Sequence, residues 1–150
     1  MENKSKANKL REIIRIFERI LGFLDESQMN CCQMTIAQCH ALVEIGRAKI
    51  ISLGDLSRLL DLDNSTLSRT VDNLVKVDLV QRIEDPNDRR YIKIQLTLAG
   101  GKKFHSLEQT MNEYYETILK AIPPEKQNQV LESLQLLVDV FQKNHSCKKE

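Results

Sequence analysis

The sequence predicts a mainly α fold with a single small β-hairpin. Three observations predict it. Apolar residues recur at steps of three and four over most of the chain, and the period changes to two only on either side of a turn at Pro86. Gly and Pro are scarce, five and three in 150 residues, so few points interrupt a helix. At 41% hydrophobic and 29% charged, the chain can bury one compact core, or a core completed by a second copy of itself. The formal net charge of +1 excludes any nucleic-acid argument that rests on an overall basic chain.

Residues 8–25 place Leu10, Ile13, Ile14, Phe17, Ile20, Leu21 and Leu24 on one stripe, with charged residues between them, which predicts an amphipathic helix. The polar segment that follows, residues 25–34, reads as a loop. Thr35 with Gln38 has capping-box spacing and opens a second helix to about Arg47. Ser52 with Asp55 repeats an acidic cap signature, and Leu56, Leu59 and Leu60 give a short helix ending near Asp61. Residues 62–65 are rich in capping side chains, and Leu67, Val71, Leu74 and Val75 continue a helix over about 65–77. Two short helices joined by a tight polar turn outline a helix-turn-helix.

Residues 80–84 and 91–96 alternate as strands around Asp85-Pro-Asn-Asp-Arg-Arg90, a turn cluster with φ fixed at Pro86, so a charged hairpin, or wing, is expected. Helical spacing returns from Thr97 until Pro123-Pro124 stops it, and a last helix carries a wide apolar arc from Val130 to Phe141. That arc exceeds what one neighbouring helix covers, so a homodimer is expected. The expected organisation is a winged helix-turn-helix at 35–97, with dimerisation helices from both termini at 1–34 and 98–150, forming one intertwined unit. The N-terminus lacks the apolar segment of a secretory leader, so the expected compartment is the cytoplasm, with no membrane partner.

The order of these elements, with Thr35-x-x-Gln38, Leu56-Ser-x-Leu-Leu60, Asp63-Asn-Ser-Thr-Leu-Ser-Arg-Thr-Val-Asp-Asn-Leu74, Asp85-Pro-Asn-Asp-Arg-Arg90 and Leu96-Thr-x-x-Gly100, resembles the MarR family of winged-helix transcription regulators. The likeness covers essentially the whole chain, and the wing string is its most specific part. It implies a dimeric repressor that binds double-stranded DNA at a palindromic operator. One departure is visible: Asp78 stands where such proteins usually carry Gly after the recognition helix. Asp tolerates a left-handed backbone, so the same turn is expected.

A recognition helix inserts its early turns into the major groove, which makes Asn64, Ser65, Thr66, Ser68, Arg69 and Asn73 the candidate DNA-binding residues. Arg69 is the candidate for a bidentate guanine contact. Arg89 is placed to enter a narrow minor groove, and Arg90 to stiffen the hairpin by pairing with Asp88 or Asp72. Residues 52–95 hold seven basic and eight acidic side chains, so affinity must come from geometry and dimerisation.

Three of the four cysteines, Cys31, Cys32 and Cys39, fall within nine residues, with His40 adjacent and Asp25 and Glu26 upstream. Thiolates converging from loop and helix suit a thiophilic ion, with zinc, copper or arsenite as effector, or an oxidant acting on a thiolate. The resemblance implies Glu26, Cys31 or Cys32, His40 and His105 as the places matching a zinc site in the family's zinc-responsive members. Gln109 stands where a further His is found there, leaving Cys39 or Glu44 as a replacement ligand. The opposing reading is a set of structural thiols and an organic effector. An enzyme, such as a thiol oxidoreductase, is disfavoured because there is no Cys-x-x-Cys, no Gly-rich phosphate loop, and no nucleophile with a base and orienting acid.

Overall fold

The computed structural model describes the backbone at residues 2–88 and 90–146, and the side chains there apart from Glu2, residues 23–32 and Ser146. The elements run α1 (Glu2–Cys32), α2 (Ile36–Ala48), β1 (Ile50–Ser52), α3 (Leu53–Leu60), α4 (Asn64–Lys76), β2 (Val80–Glu84), β3 (Ile92–Leu96), α5 (Leu98–Lys120) and α6 (Pro124–Ser146). Two compact units are distinguished, residues 1–104 and 105–150.

The core of the first unit consists of Ala41, Leu42 and Ile45 from α2, Leu56 from α3, Leu67, Val71 and Leu74 from α4, Val80 from β2 and Ile94 from β3, nearly all without solvent exposure. Each large aliphatic side chain buried in this way contributes about 1.5–3 kcal/mol. The consequence is positional: α4 is fixed by its apolar side to α2, α3 and the sheet, and its polar side is left to solvent. Thr70, the one buried polar residue among those described, is satisfied by donating its hydroxyl to the Thr66 carbonyl at 2.9 Å.

The sheet has three antiparallel strands in the order β1-β3-β2. The expected hairpin forms from β2 and β3, and β1, which the sequence reading did not include, adds a third strand with Ile51 in register with Ile94 on the central strand. Three residues are too few to show a period of two, so only the pairing reveals the strand. The first helix is also longer than expected. It extends through the polar residues 25–32, so Cys31 and Cys32 belong to its last turn and not to a loop. No Gly or Pro interrupts residues 23–32, and a helix can continue without an apolar stripe where nothing breaks it.

Two glycines mark close approaches. A Cβ on Gly46 of α2 would lie 2.5 Å from the Phe104 ring, and one on Gly100 would lie 1.8 Å from the Leu79 carbonyl oxygen. In the second unit, α5 and α6 are joined at Ala121–Pro123, where the Gln127 amide donates to the Leu119 and Ile122 carbonyls at 3.1 Å and closes the end of α5. No helix among the described residues is long and apolar enough to cross a membrane.

Candidate nucleic-acid interface

The turn between α3 and α4 is built from side-chain caps. Asp55 donates its backbone N–H to Ser52 Oγ at 3.1 Å, and α3 ends at Asp61 in the left-handed conformation, φ 51°. The Leu62 N–H then reaches back to the Ser57 carbonyl at 3.2 Å, and the Ser57 hydroxyl donates to the Leu62 carbonyl at 2.6 Å. Asp63 caps α4 by accepting from the Thr66 N–H at 2.6 Å and from its hydroxyl at 2.8 Å. The Thr66 backbone hydrogen bond, seconded by its hydroxyl, holds the Asp63 carboxyl below the usual carboxylate range.

With its start fixed in this way, α4 presents Asn64, Ser65, Arg69 and Asn73 to solvent and holds Ser68 half-buried. Thr66 is exposed, but its hydroxyl proton is committed to Asp63, leaving its oxygen to accept. Arg69 makes no ion pair among the described residues, whereas Arg58 pairs with Asp55 and Arg82 with Asp72. A guanidinium on an exposed helix face with no carboxylate partner is suited to bidentate contact with a base edge or phosphate. Asp72, which the sequence offered as a partner for Arg90, lies on this same face and is paired instead with Arg82.

The wing braces itself. Asn87 N–H donates to Asp85 Oδ1 at 2.9 Å, Tyr91 N–H to the Asp88 carbonyl at 3.1 Å, and Lys93 Nζ stands 3.5 Å from Asp85. Arg90 grips Asp88 with both arms, Nε and Nη2 each at 3.0 Å, and Asp72 is engaged by Arg82 from β2. The Arg90 guanidinium holds the Asp88 carboxyl below its ordinary range, and the Asn87 N–H does the same for Asp85. Arg90 remains 88% exposed while paired, so its outer edge is open to a partner. Arg89 lies outside the described residues.

At the base of the wing, Asp78 takes the left-handed conformation with φ 58°, as the sequence suggested for a position where Gly is usual. Thr97 Oγ1 donates to the Asp78 carbonyl at 2.5 Å and accepts from the Gly100 N–H at 3.0 Å. The Leu-Thr-x-x-Gly string thus ties the end of α4, the end of β3 and the start of α5 together.

The predicted sensor residues are less completely described. The side chains of Glu26, Cys31 and Cys32 lie outside the described residues. Cys39 is a half-buried thiol in the first turn of α2, its N–H bonded to the Thr35 carbonyl at 2.9 Å, and His40 beside it is exposed. His105 is exposed on α5. Among the described residues, no group of three or more His, Cys, Asp or Glu is placed to hold a metal ion.

Comparison with known proteins adds to this geometry. The MarR family model matches residues 34–92. The multiple antibiotic resistance protein MarR of Escherichia coli is 36% identical over 104 residues, covering 65% of this chain and 72% of that protein. The uncharacterised HTH-type transcriptional regulator YfiV of Bacillus subtilis is 25% identical over 143 residues, covering 93% of this chain and 88% of that protein. Among solved structures, Streptococcus pneumoniae FabT in complex with DNA superposes with a TM-score of 0.81 at 18% identity, covering 89% of this chain and 97% of that one. At that identity the superposition speaks for the fold alone.

Proposed function

This chain belongs to the MarR family of transcription regulators, and from that premise we propose that it works as a homodimeric repressor that reads a palindromic operator with α4 and the β2–β3 wing. The observation that carries the reading is the division of α4 into two faces. Leu67, Thr70, Val71 and Leu74 are buried, while Asn64, Ser65, Arg69 and Asn73 are exposed with Arg69 outside any ion pair among the described residues. A helix held by one face, with donors and acceptors on the other, is the requirement for entering a major groove. A protein of the same fold, Streptococcus pneumoniae FabT, has been solved in complex with DNA.

The dimer rests on apolar surface. On α1, Leu10, Ile13, Ile16, Phe17 and Ile20 are each about half exposed, and on α6 Leu131, Leu136 and Phe141 are similarly open. Stripes of this extent favour a partner surface over water. Two-fold symmetry then requires half-sites about one helical turn apart. The test is fluorescence anisotropy with fragments flanking the chromosomal gene, across a salt series, together with sedimentation at micromolar concentration. The expected result is salt-dependent binding by a species of twice 17.3 kDa. Absence of binding to any fragment at low salt, or a monomer throughout, overturns the reading.

A further inference from the structure

With 3.6 residues per turn, Ser65, Ser68, Arg69, Asp72, Asn73 and Lys76 fall on one side of α4, opposite its buried residues. Asp72 is the only acidic residue of the helix, and it stands in the middle of this face, three residues after Arg69. Side chains at that spacing are neighbours, with Cβ atoms about 5–6 Å apart. A carboxylate there has two harmful options on DNA. It can pair with Arg69 and withdraw it, or it can face phosphates and repel them.

The molecule supplies a third option. The Arg82 guanidinium, carried by β2, binds the Asp72 carboxylate, with both side chains partly screened from solvent at 34% and 47% exposure. Arg82 is the middle residue of β2 and is in register with the fully buried Ile94 of the central strand, so the cation is delivered from a strand anchored to the core. We infer that Arg82 is a positioning residue for DNA recognition: it neutralises the one carboxylate on the presented face of α4, turns it toward the wing, and so leaves Arg69 unpaired. The inference rests on the proposed DNA-reading role of that face.

Operator affinity is compared for the parent, Arg82→Ala, Arg82→Lys, Asp72→Asn and the double variant Arg82→Ala/Asp72→Asn, with Arg69→Ala as reference. Arg82→Ala should lose at least about fivefold, the lower end of the range for a lost bidentate contact. Arg82→Lys should retain parental affinity, and the double variant should recover that of Asp72→Asn. If Arg82→Ala binds like the parent, Asp72 has another outlet, such as Lys76 four residues on, and the inference falls. It falls equally if the double variant stays as weak as Arg82→Ala, because the pair would then be only a mechanical tie. A readout without DNA separates this from failure of the functional reading. Hydrogen exchange at the Arg69 Nε–H, followed by NMR, should slow in Arg82→Ala and return to the parental rate in the double variant. If the parent binds no operator, the functional reading is wrong, and an unchanged Arg69 exchange rate would overturn the inference as well.

Discussion

Gly100 stands so close to Leu79 that a Cβ added to it would lie 1.8 Å from the Leu79 carbonyl oxygen. Leu79 cannot withdraw cheaply, because the same carbonyl accepts from the Thr97 N–H at 3.1 Å and its own N–H donates to the Leu74 carbonyl at 3.0 Å. Gly100→Ala therefore forces backbone apart where α4, the sheet and α5 converge. Overpacking of this kind costs about 1–3 kcal/mol or more. Thermal melts should show a clear loss for Gly100→Ala and little change for Gly101→Ala, where a Cβ meets nothing within 4 Å.

Asp78 makes a complementary prediction. Its φ of 58° is open to Gly without steric cost and expensive for a β-branched side chain. Asp78→Gly should leave stability unchanged or raise it, and Asp78→Val should lower it by about 1–2 kcal/mol. Urea midpoints at constant slope decide between these outcomes.

Elements that signal themselves locally were legible in the sequence. The Thr35–Gln38 capping box forms as spaced, with bonds of 3.1 and 3.2 Å, and so do the Ser52 cap and the Asp78 turn. What escaped has no local signal. β1 exists through its pairing with β3, and the polar end of α1 is helical without an apolar stripe to announce it. The DNA-facing residues could be placed on one helix from periodicity. Which arginines were already engaged could not, because Arg82 meets Asp72 across ten residues and Arg90 chooses Asp88 over Asp72 through the shape of the turn.

Acid should loosen the reading head. Asp63, Asp55, Asp85 and Asp88 are all held below the ordinary value of 3.8, chiefly by hydrogen bonds from Thr66, Ser52, Asn87 and Arg90 respectively. A carboxyl depressed in the folded state stabilises fully above its unfolded pKa, and that contribution disappears as pH falls through the folded value, because the unfolded chain then binds more protons. Stability should be flat from neutral pH to about 5 and fall below about 4. Asp63→Asn keeps an acceptor for the cap but cannot titrate, so its stability should fall less steeply over pH 5–3. An acid limb identical to the parent's would remove Asp63 from this account.

The arginines should separate by type of loss. Arg69→Ala should cost about 1–3 kcal/mol and relax preference at one base pair per half-site. Arg90→Ala should weaken binding evenly across operator sequences and reduce the salt slope, as expected for a phosphate contact from an exposed, wing-braced guanidinium. Arg89→Ala, read from sequence alone, should weaken binding most where flanks are A·T-rich. Quantitative binding to a panel of single-base variants distinguishes the three, and equal binding by all of them would displace the proposed surface.

The last prediction concerns the thiols. Cys39 lies in the first turn of α2, and the same helix supplies Ala41, Leu42 and Ile45 to the core against which α4 is packed. A ligand at Cys39 or His40, joined by Cys31 and Cys32 from the last turn of α1, would act on a helix that supports the recognition helix directly. Such a ligand shifts DNA affinity only if it binds one arrangement of that helix better than the other. A coupling of about 1–3 kcal/mol would appear as a roughly 5- to 150-fold change in operator affinity. Titration of the operator complex with zinc, copper(I), arsenite and peroxide, in the parent and in a Cys31→Ser, Cys32→Ser, Cys39→Ser variant, should show a response in the parent alone. If the parent ignores all four agents, or the variant responds equally, the cysteines serve packing and the effector is an organic molecule bound elsewhere.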